Sequence, residues 1–351
     1  MFAIQKNEDL NDSKFSVACR FLRLPLMILV TFIHVKYNLL VLLPYSDFSY
    51  SIVFVFTQII SRIAVPSFFV ISGYYFFFDV RKQEKFTKQD YKNKLLKRFF
   101  SLLIPYLIWN LFYCLVKCFF LHQNFLSLLP HIFDYPMPVA FQFWYIRDLM
   151  IMCLISPLLY KVIKKLGLIF IIFLFLIWLL NFNIVLDSSL LFFSLGAYFS
   201  IKQKDIVALM NKFKPYLYIL FLCFGILDFV FNVEPTNMFH NASNVYPIHC
   251  LFILSGVFAI FTWAVSKSKN ISLKKRSNLF SPSFVFLLFA LHPLTTLSIF
   301  TPLLLKISNN TPLLLAYFLP IILSFFVIYL VYLFMKKFLP SLLSVIVGGR
   351  V

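Results

Sequence analysis

From Leu24 to Leu43 the chain is largely apolar, with Arg23 at the start of the run and His34 inside it. A helix of about 20 such residues spans the hydrocarbon core of a bilayer. Runs of similar length recur down the chain, 61% of its 351 residues are hydrophobic, and the mean hydropathy is +0.88. Soluble domains are about 45–50% apolar. The expected fold is therefore all-α, a polytopic membrane helix bundle with most of its apolar surface against lipid. The 48 Phe suit such a surface. Gly is scarce at 7 and none are spaced as GxxxG, so close Gly-mediated crossings are not expected to organise the bundle.

Ten spans are read: Leu24–Leu43, Ser51–Phe78, Phe99–Leu121, Phe141–Tyr160, Leu166–Leu180, Leu186–Ile201, Pro215–Val233, Val245–Val265, Leu279–Phe300 and Pro312–Met335. Residues 1–22 then form a cytoplasmic tail, 23–335 the membrane domain and 336–351 a second cytoplasmic tail. Loop charge supports the alternation. One side holds 27 of the 32 Lys and Arg, including the eight from Arg81 to Arg98, and the opposite loops hold only Lys306. Lys and Arg stay cytoplasmic, so both termini are expected inside. Topology thus accounts for the net charge of +19, and no nucleic-acid partner is expected. The first run lacks a small-residue cleavage site and stays as a helix. The six Cys make no CxxC pair and read as small hydrophobes.

Four cations fall inside spans: Lys36, Arg62, Lys117 and Arg147. Lys36 and Lys117 are close enough to the outer ends to snorkel. Arg62 falls near the midplane, where an Arg costs about 2.5–3.5 kcal/mol on insertion scales. That cost implies a buried partner or a water-filled cavity. Pro66 frees a carbonyl one turn back and Ser72 offers a hydroxyl, so a kinked helix lining a cavity is expected. Arg147 and Asp148 are adjacent, point about 100° apart on a helix, and are not expected to form a same-face pair. Trp144 and Tyr145 fit an interfacial belt.

Arg23 and His34 are eleven residues apart, which is about three helical turns and about 16 Å of rise on one face. An ionisable ring at mid-membrane depth reads as functional by default, the alternative being a His that hydrogen-bonds a neighbouring helix. His292, followed by the helix-kinking Pro293, is a second buried His and raises the expectation of a shared polar site. His249 reads as interfacial, and His122, His131 and His240 as solvated. No two His stand at metal-ligand spacing, so no metal is expected. The loop His122–Ala140, with Pro130, Pro136 and Pro138, reads as a connector or as a lid, and Asn241-Ala242-Ser243 is a glycosylation sequon by pattern. There is no GxSxG elbow, P-loop or Gly-rich dinucleotide turn, so the chemistry must come from dispersed His and Arg.

Four segments form an ordered set: Arg23 and His34 with ten residues between them; Arg62 to Gly73, containing Val65-Pro66-Ser67-Phe68-Phe69 and Ser72-Gly73; Phe143-Trp144-Tyr145 to Leu149; and Ser281 to His292-Pro293. Lys94-Leu-Leu-Lys97-Arg98, leading to Ile104-Pro105-Tyr106, adds a basic approach to the third span. The set resembles the membrane acyltransferase-3 family, bacterial integral membrane O-acyltransferases that modify cell-surface glycans. Lys94 and Lys97 depart from its pattern, where Arg is more usual, and Lys meets a phosphate without a bidentate fork.

The resemblance implies acyl-CoA as cytoplasmic donor, acetyl-CoA first. It implies a hydroxyl of a cell-surface or lipid-linked glycan as acceptor, no permanently bound cofactor, and a multi-pass place in the bacterial inner membrane. His34 is the expected catalytic residue, as general base or as transient acyl carrier. Arg23, Lys94, Lys97 and Arg98 fit a basic mouth for the phosphates of CoA. Arg62 or Arg147 fits an oxyanion stabiliser. Ser72, Trp144 and His292 complete the expected substrate site, with His292 orienting a partner or lining the acceptor path. A carrier or flippase for an anionic or lipid-linked substrate is the rival class, since it too places His and Arg at the midplane. A structural scaffold is disfavoured by Arg62 and His34.

Overall fold

The computed structural model describes residues 2–35, 48–83, 85–182, 186–232, 246–267, 278–307 and 313–350. These residues form an all-α bundle with no strand among them. Seven of the described helices are long and apolar enough to cross a membrane, or eight when one bent pair counts as a span. The sequon at Asn241, His240, Lys36 and the expected span beyond Val35 lie outside the described residues.

Helix α1 runs Phe2–His34. Its first part takes in residues read as a tail from the sequence, 1–22. Phe15, Ala18, Cys19 and Leu22 are buried to 1% or less, and their spacing is the i, i+3, i+4, i+7 stripe of a packed helix. The apolar part covers Asp12–His34. His34 stands at the C-terminal end of α1 as far as the described residues run.

The second span is broken as Arg62 and Pro66 suggested. It comprises α2 (Phe48–Phe54), a π turn (Val55–Ile59), a 3-10 turn (Ile60–Ile63) and α3 (Ala64–Phe76). Pro66 cannot donate to the Arg62 carbonyl, and its ring crowds that turn. Side chains re-pair the irregular backbone: the Thr57 hydroxyl donates to the Val53 carbonyl (2.8 Å) and the Ser67 hydroxyl to that of Ile63 (2.7 Å).

Next come α4 (Phe78–Gln83), α5 (Lys88–Arg98), a π turn (Phe99–Leu103), α6 (Ile104–Leu121) and α7 (Phe125–Leu128). A Thr87–Asp90 capping box starts α5. Helices α8 (Trp144–Leu154) and α9 (Ser156–Leu166) divide the expected fourth span at Ile155, where Pro157 favours a new first turn. Helix α10 (Leu168–Leu179) turns away from α9 by 112° about Gly167, which has φ +58°.

Helix α11 (Asp187–Ile201) crosses α3 at very close range. A Cβ on Gly73 would lie 1.9 Å from the Phe193 carbonyl oxygen, and one on Gly196 would lie 2.0 Å from that of Val70. This corrects the expectation that Gly crossings do not organise the bundle. One Gly on each helix, each facing the other's backbone, does what a GxxxG repeat does on one helix.

The remaining helices are α12 (Ile206–Asn232), α13 (Tyr246–Lys267), α14 (Pro282–Pro293), a π turn (Leu294–Phe300), α15 (Thr301–Ile307), α16 (Leu313–Phe338) and α17 (Pro340–Ile346). The segment after α16 packs on the bundle. The Trp109 indole on α6 donates to the Ile346 carbonyl (3.0 Å), and Leu343 and Val347 are buried.

Candidate active site

A cavity of about 1220 Å³ lies between α1, α3, α8, α13 and α14. Of the residues singled out in the sequence, Arg23, His34, Arg62, Ser72, Arg98 and Trp144 line it. Arg350 is a fourth guanidinium in its wall, and no Asp or Glu is among the described residues that line it. From Arg23 to His34 the α1 wall rises about 16 Å.

His34 and His292 form one unit. Nε2 of His292 is 2.7 Å from Nδ1 of His34, and the rings lie 4.8 Å apart between centroids. His292 is fully buried behind His34. Its Nδ1 is 2.9 Å from the carbonyl oxygens of both Leu288 and Phe289. Pro293 has no amide hydrogen, so the Phe289 carbonyl is without its usual helical donor. A carbonyl only accepts, so Nδ1 of His292 carries the proton and Nε2 carries a lone pair. His34 then donates through Nδ1–H, and its own Nε2 is left as the basic atom. The His-Pro dipeptide thereby fixes the tautomers of two rings.

Neighbouring groups hold that arrangement. The Ala290 carbonyl precedes the π turn and accepts from the Tyr113 hydroxyl (2.8 Å) and the Gln142 amide (2.9 Å). Phe141 packs edge-on against His34 with centroids 5.0 Å apart. The hydroxyls of Thr295 and Thr296 donate to the His292 carbonyl.

Arg62 faces the cavity and donates through Nε to Oε1 of Gln58, one turn back (3.2 Å). Its broken helix thus supplies both the cavity and the polar partner that its depth required. Ser72 Oγ and Tyr145 Oη are 3.1 Å apart on facing walls. Trp144 packs against Phe69 and lines the cavity.

Three expected site residues stand elsewhere. Arg147 does pair with Asp148, through Nη2 (2.7 Å) and Nε (3.1 Å), contrary to the helix-wheel expectation. A buried Arg side chain is long enough to fold back on its neighbour, and Asp148 also accepts from Ser189 (2.8 Å). The Nη1 of Arg147 donates to the carbonyls of Asp134 and Pro136 and so ties down the loop 122–140, whose Met137 borders the cavity. Lys94 pairs with Asp79 at 2.7 Å, and Lys97 is exposed; neither lines the cavity.

Two features escaped the sequence. His249, read as interfacial, lines the cavity and donates from Nδ1 to Oδ2 of Asp228 (2.8 Å), which is fully buried in α12. An isolated Asp in the apolar run from Pro215 to Val233 was the available signal. Arg350 had none, because it follows the last span.

Comparison with curated proteins and with solved structures returns no match. A family model described as an acyltransferase domain matches residues 19–333. That stretch holds both His, Arg23, Arg62 and Arg98. The chain is a multi-pass membrane protein that belongs to the acyltransferase-3 family.

Proposed function

We propose that the protein moves an acyl group, acetyl first, from cytoplasmic acyl-CoA to a hydroxyl of a cell-surface or lipid-linked glycan, within the bacterial inner membrane. The observation that carries this reading is a base, Nε2 of His34, on the wall of a cavity whose described lining holds four guanidinium groups and no carboxylate. CoA is anionic at its nucleotide end and neutral along its pantetheine arm. Arg23 and Arg98 suit the phosphates, and the arm would run along α1 to bring the thioester beside His34.

In the proposed reaction His34 Nε2 takes the proton of the acceptor hydroxyl as that oxygen attacks the thioester carbonyl. The imidazolium so formed still donates from Nδ1 to His292, a neutral acceptor. Arg62 stabilises the oxyanion of the tetrahedral intermediate. It suits this role better than Arg147, whose guanidinium is committed to Asp148 and to two loop carbonyls. Collapse breaks the C–S bond, and the proton on His34 passes to the departing thiolate, which leaves as CoA thiol. The products are the glycan ester and free CoA. Direct transfer needs no acyl-enzyme, and His292 then orients its partner. The charge bias of the loops supports a cytoplasmic donor site, with both termini on that side.

Purified protein in nanodiscs, given acetyl-CoA and a cell-envelope glycan fraction, tests the reading. CoA release matched by ester formation on the glycan is expected. Absence of turnover with acetyl-, propionyl- and succinyl-CoA, together with glycans unaltered by deletion of the gene, would favour the carrier.

A further inference from the structure

Among the described residues that line the cavity, one lies beyond the region matched by the family model: Arg350. The chain is brought there by construction. After α17, Gly348 and Gly349 adopt φ of +66° and +73°, a left-handed pair that only Gly takes readily. A Cβ on Gly348 would meet the Ser101 carbonyl oxygen at 2.6 Å. The Ser283 hydroxyl donates to the Arg350 carbonyl, and the Arg350 guanidinium lies 4.6 Å from the centroid of the Phe286 ring while donating to the Val347 carbonyl. Trp109, Leu343 and Val347 already anchor the segment. Anchoring alone gives no reason for a guanidinium in the cavity wall.

Its electrostatic setting gives one. Arg350 interacts with the charges of Arg98 and Arg23 and with the Tyr145 hydroxyl. Burial, with the Arg98 charge adding to it, pushes Arg350 down to about 10, so it is still a cation at neutral pH. Among the described residues none of these three Arg has a carboxylate partner. Like charges gathered in a low-dielectric wall raise the local potential and are relieved by an anion. Planar guanidinium forks match phosphate oxygens two at a time.

We propose that Arg350 completes, with Arg23 and Arg98, a three-arginine seat for the phosphate groups of the donor nucleotide, which makes the segment after α16 part of the donor site. This rests on the acyl-CoA reading, and the test separates the two. The full chain in detergent is assayed as wild type, Arg350→Ala and Arg350→Lys, with acetyl-CoA and with S-acetyl-pantetheine, which carries no phosphate. Arg350→Ala is expected to raise KM for acetyl-CoA by about tenfold to a hundredfold, the scale of one hydrogen bond to a charged group. KM for S-acetyl-pantetheine should move by less than about twofold on the same scale. Arg350→Lys, which keeps the stem and the charge but not the fork, should fall between. Equal effects on both thioesters would overturn the seat.

If neither thioester turns over, the acyltransferase reading fails, and a second measurement still decides the seat. Inorganic pyrophosphate and CoA should each raise the thermal unfolding midpoint of the wild type, with higher concentrations needed for Arg350→Ala and intermediate ones for Arg350→Lys. No protection, or protection unchanged by either variant, overturns it. Protection by short-chain phosphatidic acid but not by CoA would assign the phosphate to a lipid headgroup and overturn the donor assignment.

Discussion

Nε2 of His292 lies 2.7 Å from Nδ1 of His34, and the proton between them belongs to His34. The assignment follows from two backbone carbonyls on the far side of the His292 ring. In the proposed reaction His292 is accordingly a positioning residue. Replacing it by Ala removes the acceptor that would hold the imidazolium of the proposed base. kcat should fall about tenfold to a hundredfold, the scale of one hydrogen bond to a charged group, with a smaller change in KM. His292→Gln, whose amide oxygen can accept from His34, should recover part of the loss. The acidic limb of the kcat–pH profile should move for Ala more than for Gln. A purely structural role would lower folded yield and leave the profile in place.

Pro293→Ala returns an amide hydrogen to the Phe289 carbonyl and sets up competition with His292 Nδ1. The helix itself should gain, since Pro is the poorest helix residue. Activity should nevertheless fall, by about threefold to tenfold if one shared hydrogen bond is weakened. Kinetics and thermal unfolding on the same preparation check the combination of stability kept and kcat lost.

The Gly73–Gly196 crossing predicts a different phenotype. Gly196→Ala would push a methyl into the Val70 carbonyl. Overpacking costs about 1–3 kcal/mol in well-packed cores, and backbone on both sides leaves little room to relax. A lower thermal unfolding midpoint is expected, and activity lost in proportion to folded protein. Gly225→Ala serves as the control, since its Cβ would meet only the Phe252 ring, at 3.1 Å.

Arg147→Leu should be among the most destabilising changes. It strands Asp148, which is 3% exposed, and frees the loop 122–140. Breaking a buried pair from one side costs about 3–5 kcal/mol. The double variant Arg147→Leu/Asp148→Leu should be more stable than Arg147→Leu alone, as measured by thermal unfolding, because the uncompensated charge is gone.

What the sequence revealed and what it hid follow from one distinction. An ionisable residue in an apolar run, or a proline in a helix, has consequences within a turn or two. Arg62 with Pro66 therefore announced a broken, cavity-lining helix, and His292-Pro293 announced a kink. Partnerships set by packing carry no such local mark. His34 and His292 are 258 residues apart and meet only because α1 and α14 pack side by side. His249 looked interfacial because Asp228 sits on another helix. Arg147 and Asp148 were kept apart by helix-wheel angles, which fix Cβ directions but not where a long side chain ends. The packed part of α1 was masked by exposed Ser13 and Arg20, while the stripe from Phe15 to Leu22 was already apolar.

The most direct test of the account compares wild type with His34→Ala and His34→Asn in one preparation, following CoA release from acetyl-CoA and thermal protection by CoA. The account predicts that both variants keep CoA protection within about twofold and lose transfer by about a hundredfold or more, the scale of a general base. Transfer that continues at the wild-type rate without His34 would contradict it.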